Sequence, residues 1–182
     1  MTGCGTVICA LYFFLPAYLA NITPVLVRGH FQALAKPIDL GRSWRGQRIL
    51  GDHKTWRGLL CGTAVGTATF AIQRALWDLG IGHGLAAIDY DSYVVMPGLL
   101  MGVGAGVGDA VKSFFKRRVG IAPGATWLGF DQVDFLIGAY LFVVPVCAPP
   151  LLAAVLCIPI VFVGSIATTI TGYALGLKES WI

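Results

Sequence analysis

The sequence predicts an all-α integral membrane protein with five transmembrane helices. Its mean hydropathy is +0.77, and only 12% of its 182 residues are charged, whereas a soluble domain has about 25% charged residues. Uncharged runs long enough to cross about 30 Å of hydrocarbon recur along the chain. We therefore expect a single multi-pass domain in the cell membrane.

The predicted spans follow the apolar runs and cover about residues 3–27, 58–77, 93–111, 132–147 and 151–175. The first lacks the basic start of a cleavable signal peptide, so we interpret it as a retained helix. The third is expected to continue as a helix beyond the bilayer, as far as Arg118. Between Asp134 and Lys178 the chain has no charge and is too long for one crossing. We divide it at Ala148-Pro149-Pro150, because proline ends helices.

The distribution of Lys and Arg predicts the orientation. Loops 28–57 and 112–131 carry seven and four cations, whereas the loops after the second and fourth spans carry none. Because Lys and Arg are enriched in cytoplasmic loops, both cation-rich loops and the C-terminus are predicted to be cytoplasmic and the N-terminus outside. Glycines at four-residue intervals, such as Gly98, Gly102 and Gly106, predict close contact between helix backbones.

The stretch 108–134 carries the strongest candidate for a functional site. At helical spacing, Asp109, Lys112, Ser113 and Lys116 share one face of the third helix. A carboxylate at the edge of an apolar span is costly unless it faces protein, water or a metal. The polar face of this helix is therefore expected to point at a site.

Three acids, Asp109, Asp131 and Asp134, are candidate ligands of Mg²⁺, which prefers carboxylates shared with substrate phosphates. Asp131 and Asp134 are three residues apart and would face the same way on a helix. Asp131 is equally well placed to cap the N-terminus of the fourth helix. Asp109 has no such capping position, so metal binding is favoured for the three acids together.

The cations near these acids have two interpretations. Lys112, Lys116, Arg117 and Arg118 either bind phosphates or serve as a positive-inside anchor. Lys112 and Lys116 share a face with Asp109, which favours the site for those two. Pro123-Gly124 is predicted to turn the chain back toward the membrane.

A second group of donors opens the second span, where backbone N–H groups favour anions; its members are His53, Lys54, Thr55 and Arg57. Cations and carboxylates at one membrane face predict phosphoryl or nucleotidyl chemistry on a lipid, using a polyphosphate and Mg²⁺. The residues do not identify the base or the lipid, and the alternatives are a nucleotide-dependent lipid kinase and a small transporter, whose acids would lie at the midplane instead. No nucleic-acid partner is predicted, and the residues do not define an oligomeric state.

Two blocks of the sequence resemble the archaeal CDP-archaeol synthases. The stretch from Pro37-Ile38-Asp39-Leu40-Gly41 through GQRILGDHKTWRG resembles their cytoplasmic loop, and GDAVKSFFKRRVGIAPGATWLGFDQVDF resembles their signature. The second block is more loosely similar to the signature of phosphatidate cytidylyltransferases, in which an acid, Ser-x-x-Lys-Arg, a Pro-Gly turn and Asp-x-x-Asp follow in order. The matching residues are Asp109, Ser113, Lys116-Arg117, Pro123-Gly124, Asp131 and Asp134.

The resemblance implies transfer of CMP from CTP to 2,3-bis-O-(geranylgeranyl)-sn-glycerol 1-phosphate, with release of pyrophosphate. It implies that the three acids hold the divalent metal and that the lipid chains lie in an apolar groove between helices. It also implies nucleotide or phosphate contacts for a further set of residues: Lys112, Lys116, Arg117, Ser113, Lys54, Thr55, Arg57 and His53.

Overall fold

The computed structural model describes the backbone of residues 3–121, 127, 129–147, 149 and 151–174, and the side chains of residues 5–164 within those ranges. The chain is mainly helical. Its helices are α1 (Gly3–Phe13), α2 (Leu15–Leu26), α3 (Trp56–Asp78), α4 (Met96–Arg118), α5 (Asp134–Val143) and α6 (Leu151–Ala174). Two short antiparallel strands, β1 (Ser43–Trp44) and β2 (Gln47–Arg48), lie between α2 and α3.

The first predicted span is two helices, with a bend of 48° between Gly5–Phe13 and Leu15–Leu26. The cause is Pro16, which has no N–H to donate to the carbonyl of Tyr12, four residues earlier. That carbonyl instead accepts a hydrogen bond at 2.5 Å from the amide of Gln73 on α3. The Gln73 side chain therefore satisfies the backbone group that the proline leaves unpaired, as the membrane interior requires.

The other predicted spans are recovered as helices to different extents. Among the described helices, α3 is long and apolar enough to cross a bilayer, and the bent pair is a second candidate if it forms one span. Helix α4 ends at Arg118, as the sequence predicts. Helix α5 has only ten residues, about 15 Å, which is half of the hydrocarbon thickness. Five spans therefore stay a prediction.

Glycines bring α4 into backbone contact with its neighbours. A Cβ atom at Gly104 would lie 2.5 Å from the carbonyl oxygen of Gly138 on α5, and one at Gly138 would lie 2.1 Å from that of Gly104. On the other side of α4, a Cβ atom at Gly98 would lie 2.7 Å from the carbonyl oxygen of Gly66 on α3. The close packing expected from the glycine spacing is confirmed in these described helices.

The segment between α2 and α3, residues 27–55, is called loop 1. It is closed at its base by hydrogen bonds from Ile38 N to Lys54 O (2.8 Å) and from Trp56 N to Lys36 O (3.0 Å). Strands β1 and β2 form a hairpin whose two turn residues, Arg45 and Gly46, both have positive φ, as a tight hairpin turn requires. Loop 1 and the last turn of α4 lie at the same end of the molecule, because Arg118 donates a 3.1 Å hydrogen bond to the Trp44 carbonyl.

The α4–α5 contact gives a testable prediction. Replacing Gly138 by Ala should destabilise the protein by about 1–3 kcal/mol, because the added methyl group must push two helix backbones apart. Gly164→Ala on α6 is the matched control, since none of the described atoms lies within 4 Å of its Cβ position, and it should change stability by no more than about 1 kcal/mol. Thermal unfolding in detergent measures both, and equal melting temperatures for the two variants would contradict the packing.

Candidate active site

Three carboxylates surround a single ammonium group at one end of the helices. Nζ of Lys112 lies 2.9 Å from Oδ1 of Asp109, 3.1 Å from Oδ1 of Asp131 and 2.8 Å from Oδ2 of Asp134. Asp109 and Lys112, both on α4, lie on the same face of that helix because they are three positions apart. The start of α5 reaches them because Gly108 has no side chain: a Cβ atom there would lie 2.3 Å from the Asp134 carbonyl oxygen. The structure thus brings the three predicted acids together.

The ammonium of Lys112 is the positive centre of this cluster. Its side chain is 12% exposed. Burial alone would lower the pKa of Lys112, but the carboxylates of Asp109, Asp134 and Asp131 outweigh it and raise the pKa above its ordinary value. Lys112 is therefore charged at neutral pH and offsets the repulsion between the acids.

Asp131 faces the lysines and does not cap α5. The N-cap position of α5 is Val133, with no side-chain cap, so the capping interpretation of Asp131 is wrong. Its carboxylate accepts a hydrogen bond from Trp127 N at 2.7 Å and pairs with Lys116 at 3.1 Å. Burial acts to raise the pKa of Asp131, but the Trp127 N–H group and the two lysines lower it overall.

Lys54 reaches the cluster from loop 1. Its ammonium forms an ion pair and hydrogen bond with Asp109, 55 positions further along the chain. Asp109 thus pairs with two lysines from opposite sides, Lys54 and Lys112. This contact joins loop 1 directly to the acids of α4.

Loop 1 is held in shape by Asp39, whose side chain is 1% exposed. The carboxylate accepts backbone hydrogen bonds from Gly41 (3.1 Å), Leu50 (2.9 Å) and Gly51 (3.2 Å), and pairs with Arg48 at 2.8 Å. Burial acts to raise the pKa of Asp39, but Arg48 and the three N–H groups lower it well below its usual range. The residue pattern alone predicts no role for Asp39. An acid between Pro37 and two glycines of a turn-rich loop is nevertheless a recognisable signal of a side chain that binds turn N–H groups.

A cavity of about 720 Å³ opens between loop 1 and helices α2, α3 and α4. Its floor is formed by small residues, Gly62, Gly102, Ala105 and Gly106. Its polar lining contains six residues that the sequence predicts for the site, His53, Lys54, Thr55, Arg57, Asp109 and Lys112, and also Asn21, Arg28 and Asp52. Asn21 and Arg28 of this set were missed, because a lone amide in an apolar run and a flanking cation give no site signal in the sequence.

Arg57 is the most deeply buried cation of the cavity, with 9% of its surface exposed. Its Nη1 donates a 2.9 Å hydrogen bond to the carbonyl of His30, and its Nε has no partner among the described residues. Thr55 is the N-cap residue of α3, and its hydroxyl oxygen accepts a 3.2 Å hydrogen bond from Gly58 N. The cavity therefore has a cationic wall at a helix N-terminus, where anions bind favourably.

Other predicted residues lie outside the cavity lining. The Ser113 hydroxyl donates a hydrogen bond at 2.9 Å to the Asp109 carbonyl of its own helix. Arg117 occupies the last turn of α4, and the neighbouring Arg118 guanidinium lies 4.8 Å from the Trp44 ring and 4.7 Å from the Phe114 ring. The Pro123-Gly124 turn lies outside the described residues.

The acids are not arranged as a closed metal site. Within the part of the chain that the structure describes, no three His, Cys, Asp or Glu side chains are placed to hold an ion together. Each of the three carboxylates is paired with the Lys112 ammonium instead. The set of oxygen donors is nevertheless the one that a hard divalent cation prefers.

The fold and the site define a class of protein: a helical, strongly apolar protein with acids and lysines clustered at one end of its helices. The model of one family, CarS-like, CDP-archaeol synthase, matches residues 5–182. The chain belongs to this family, which confirms the resemblance carried by its two sequence blocks.

Individual relatives agree with the family assignment. The CDP-archaeol synthase of Thermococcus onnurineus is 44% identical over 138 residues, 75% of this chain and 74% of the relative. That of Halorubrum lacusprofundi is 39% identical over 183 residues, 94% of this chain and 96% of the relative. A solved structure of an intramembrane enzyme for archaeal membrane lipid biosynthesis is similar with a TM-score of 0.71 and 32% identity, covering 88% of this chain and 92% of that one.

Asp39 gives a prediction about loop 1. Asp39→Asn should destabilise the loop by about 1–3 kcal/mol at pH 7, because buried N–H groups lose a charged acceptor, and trypsin should cleave faster at Arg42 and Arg45. Since the pKa of Asp39 is lowered on folding, its contribution is present above pH ~4 and is lost as the pH falls below that value. The difference between wild type and variant should therefore shrink in acid.

Asp52→Asn is the matched control, because Asp52 pairs with the same Arg48 at 2.6 Å but has a side chain that is 74% exposed. Its stability and cleavage rate should stay close to those of the wild type. If both variants behaved alike, the pairing with Arg48 rather than the buried backbone contacts would hold the loop.

Proposed function

We propose that this protein transfers CMP from CTP to 2,3-bis-O-(geranylgeranyl)-sn-glycerol 1-phosphate, forming a CDP-activated ether lipid and pyrophosphate for archaeal membrane phospholipids. The observation that carries the proposal is the group of three carboxylates around Lys112, at the edge of a cavity that also contains Lys54 and Arg57. The family and the printed names of its relatives support the same reaction.

The reaction requires little acid–base chemistry. A phosphate oxygen of the lipid forms a bond to the α-phosphorus of CTP, and the bond from that phosphorus to the oxygen bridging to the β-phosphorus breaks. Pyrophosphate leaves with that oxygen. A phosphate monoester is already anionic near neutral pH, so no general base has to remove a proton. Catalysis then depends on positioning the two phosphates and neutralising their charge.

The cationic wall of the cavity is suited to the polyphosphate. Arg57 is buried there, and its Nε has no partner in the described part of the chain. A guanidinium forms charge-assisted hydrogen bonds to phosphate oxygens. Lys54 and Lys112 line the same cavity. We assign these three side chains to the phosphates, with His53 and Thr55 beside them. Lys116 supports the cluster from α4 by pairing with Asp131, and Ser113 and Arg117 stay predicted phosphate or nucleotide contacts on the same helix.

The acid cluster fits a divalent cation by the chemistry of its donors, since three carboxylate oxygens already lie within 3.1 Å of one positive nitrogen. Asp109, Asp131 and Asp134 would hold Mg²⁺, which would neutralise charge on the phosphates during transfer.

The lipid chain has a candidate location next to the cavity. An apolar groove of about 420 Å³ lies between α3, α4 and loop 1, lined by residues such as Leu50, Val107 and Phe114. The groove and the cavity share Ile38, Leu59, Gly106 and Ala110. A lipid whose hydrocarbon chain lies in the groove would therefore have its phosphate close to Lys54.

The proposed topology has five spans, a cytoplasmic site and the N-terminus outside. Its support is the distribution of charge between the two ends of the helices. The cation-rich loop 1 contacts the last turn of α4 through Arg118 and Trp44, so both predicted cytoplasmic segments lie at the end that carries the site. Near the opposite end of α3, Arg74 pairs with Asp78 and Asp91.

The activity is tested with labelled CTP and the ether-lipid phosphate. The wild type should release pyrophosphate and form the CDP-lipid, whereas a CTP-dependent lipid kinase would release CDP. Asp134→Asn should lower turnover by at least about 100-fold, the loss typical of a removed charge-stabilising group, while the protein still inserts and folds.

Asp78→Asn is the control, because Asp78 pairs with Arg74 far from the acid cluster, and its turnover should match the wild type. Near-normal turnover of Asp134→Asn would remove this residue from the metal site. Absence of CDP-lipid from the wild type would contradict the proposed reaction.

The topology is tested by labelling single cysteines in a cysteine-free background. A membrane-impermeant maleimide added to intact cells should label Ile81→Cys, which is exposed after α3, but not Gln47→Cys in the loop 1 hairpin. Labelling of both positions in lysed cells is the control for reactivity. The opposite pattern in intact cells would reverse the proposed orientation.

A further inference from the structure

We propose that Lys112 occupies, in the ligand-free protein, the position between the three carboxylates that a divalent cation takes during turnover, and that its ammonium moves to the substrate phosphates when the cation enters. This inference rests on the proposed function, and it concerns how the site is kept ready and how it is loaded.

The geometry supports an exchange of cations. The Lys112 nitrogen lies 2.8–3.1 Å from one oxygen of each of the three acids, whereas Mg²⁺ binds oxygen at about 2.0–2.1 Å. Replacing the ammonium by the ion thus requires each carboxylate to move inward by about 1 Å. Such a shift lies within the reach of aspartate side chains on helices that keep their positions.

The charges of the cluster also favour this exchange. Three acids face three lysines, Lys54, Lys112 and Lys116, so the cluster is formally neutral without ligands. Entry of a divalent cation leaves an excess of positive charge, and a polyphosphate removes that excess. Metal and polyphosphate should therefore each strengthen the binding of the other, as linkage requires.

The position of Lys112 allows the movement. Its side chain contacts the acids and also lines the large cavity, so the ammonium can turn toward bound phosphates without a change in the backbone of α4. A flexible four-carbon stem makes lysine suited to such a change of partner. Lys54 is placed to act in the same way, because it pairs with Asp109 from loop 1 and lines the same cavity.

The test uses Mn²⁺ as a spectroscopic probe, titrated into the full-length protein in detergent without nucleotide. Lys112→Gln should bind Mn²⁺ about tenfold more tightly than the wild type, because the competing ammonium is gone. Without metal the variant should melt at a lower temperature than the wild type, and Mn²⁺ should raise that temperature by more. Lys54→Gln should show the same effects more weakly.

Two controls separate charge exchange from general damage. Arg74→Gln removes a cation paired with Asp78 and Asp91, and should leave Mn²⁺ affinity unchanged. Lys112→Arg keeps the positive charge and should retain the metal-free melting temperature. Mn²⁺ bound by either glutamine variant should be lost when Asp134→Asn is added.

The outcomes distinguish this inference from the proposed function. If Lys112→Gln and Lys54→Gln bind Mn²⁺ no more tightly than the wild type, and the wild type forms CDP-lipid, the exchange is overturned and the proposed reaction stands. If the two variants bind Mn²⁺ more tightly, but the wild type forms no CDP-lipid from CTP, the exchange is supported and the proposed reaction is overturned.

Discussion

Backbone contact between α4 and α5 is the constraint on which the site depends. Lipid chains are as apolar as the side chains of membrane helices, so helices associate through close packing rather than through the hydrophobic effect. Gly104 and Gly108 of α4 let the backbone of α5 approach at Gly138 and Asp134. This approach places the Asp134 carboxylate 2.8 Å from Lys112. A wider separation would leave the Asp134 carboxylate buried without its lysine partner, which costs more free energy than the pair itself contributes.

Loop 1 depends on a second buried group, Asp39, and it completes the site from the other side. Asp39 collects three backbone N–H groups and Arg48, which shapes the chain between the hairpin and α3. The result is that Lys54 meets Asp109. The hairpin is tied to α4 separately, because the Arg118 guanidinium stacks against Trp44. Two segments that are distant in the sequence therefore form one polar surface at the end of the helices.

The sequence predicted the features that depend on local spacing. Helical periodicity placed Asp109, Lys112 and Lys116 on one face, and the glycine intervals predicted the close contact of α4 with its neighbours. Features that depend on long-range contacts could not be predicted. The break before Pro16 is stabilised by Gln73, 57 positions later, and Asp131 faces lysines on α4 instead of capping α5. The role of Asp39 depends on where the backbone N–H groups of a distant turn point, and side-chain periodicity contains no information about that.

The neutrality of the acid–lysine cluster limits the kinds of ligand that the site can accept. A lone cation or a lone anion would leave uncompensated charge in a partly buried region, where charge interactions are stronger than in water. In the exchange proposed above, a metal–polyphosphate pair would add a cation for the acids and an anion for the displaced lysines, so both groups would keep partners of opposite charge. A transporter of a simple cation would bring no anion to pair with the displaced lysines. The arrangement of Lys54, Lys112 and Lys116 around three acids therefore favours an enzyme that acts on a metal-bound nucleotide over a pathway for an ion.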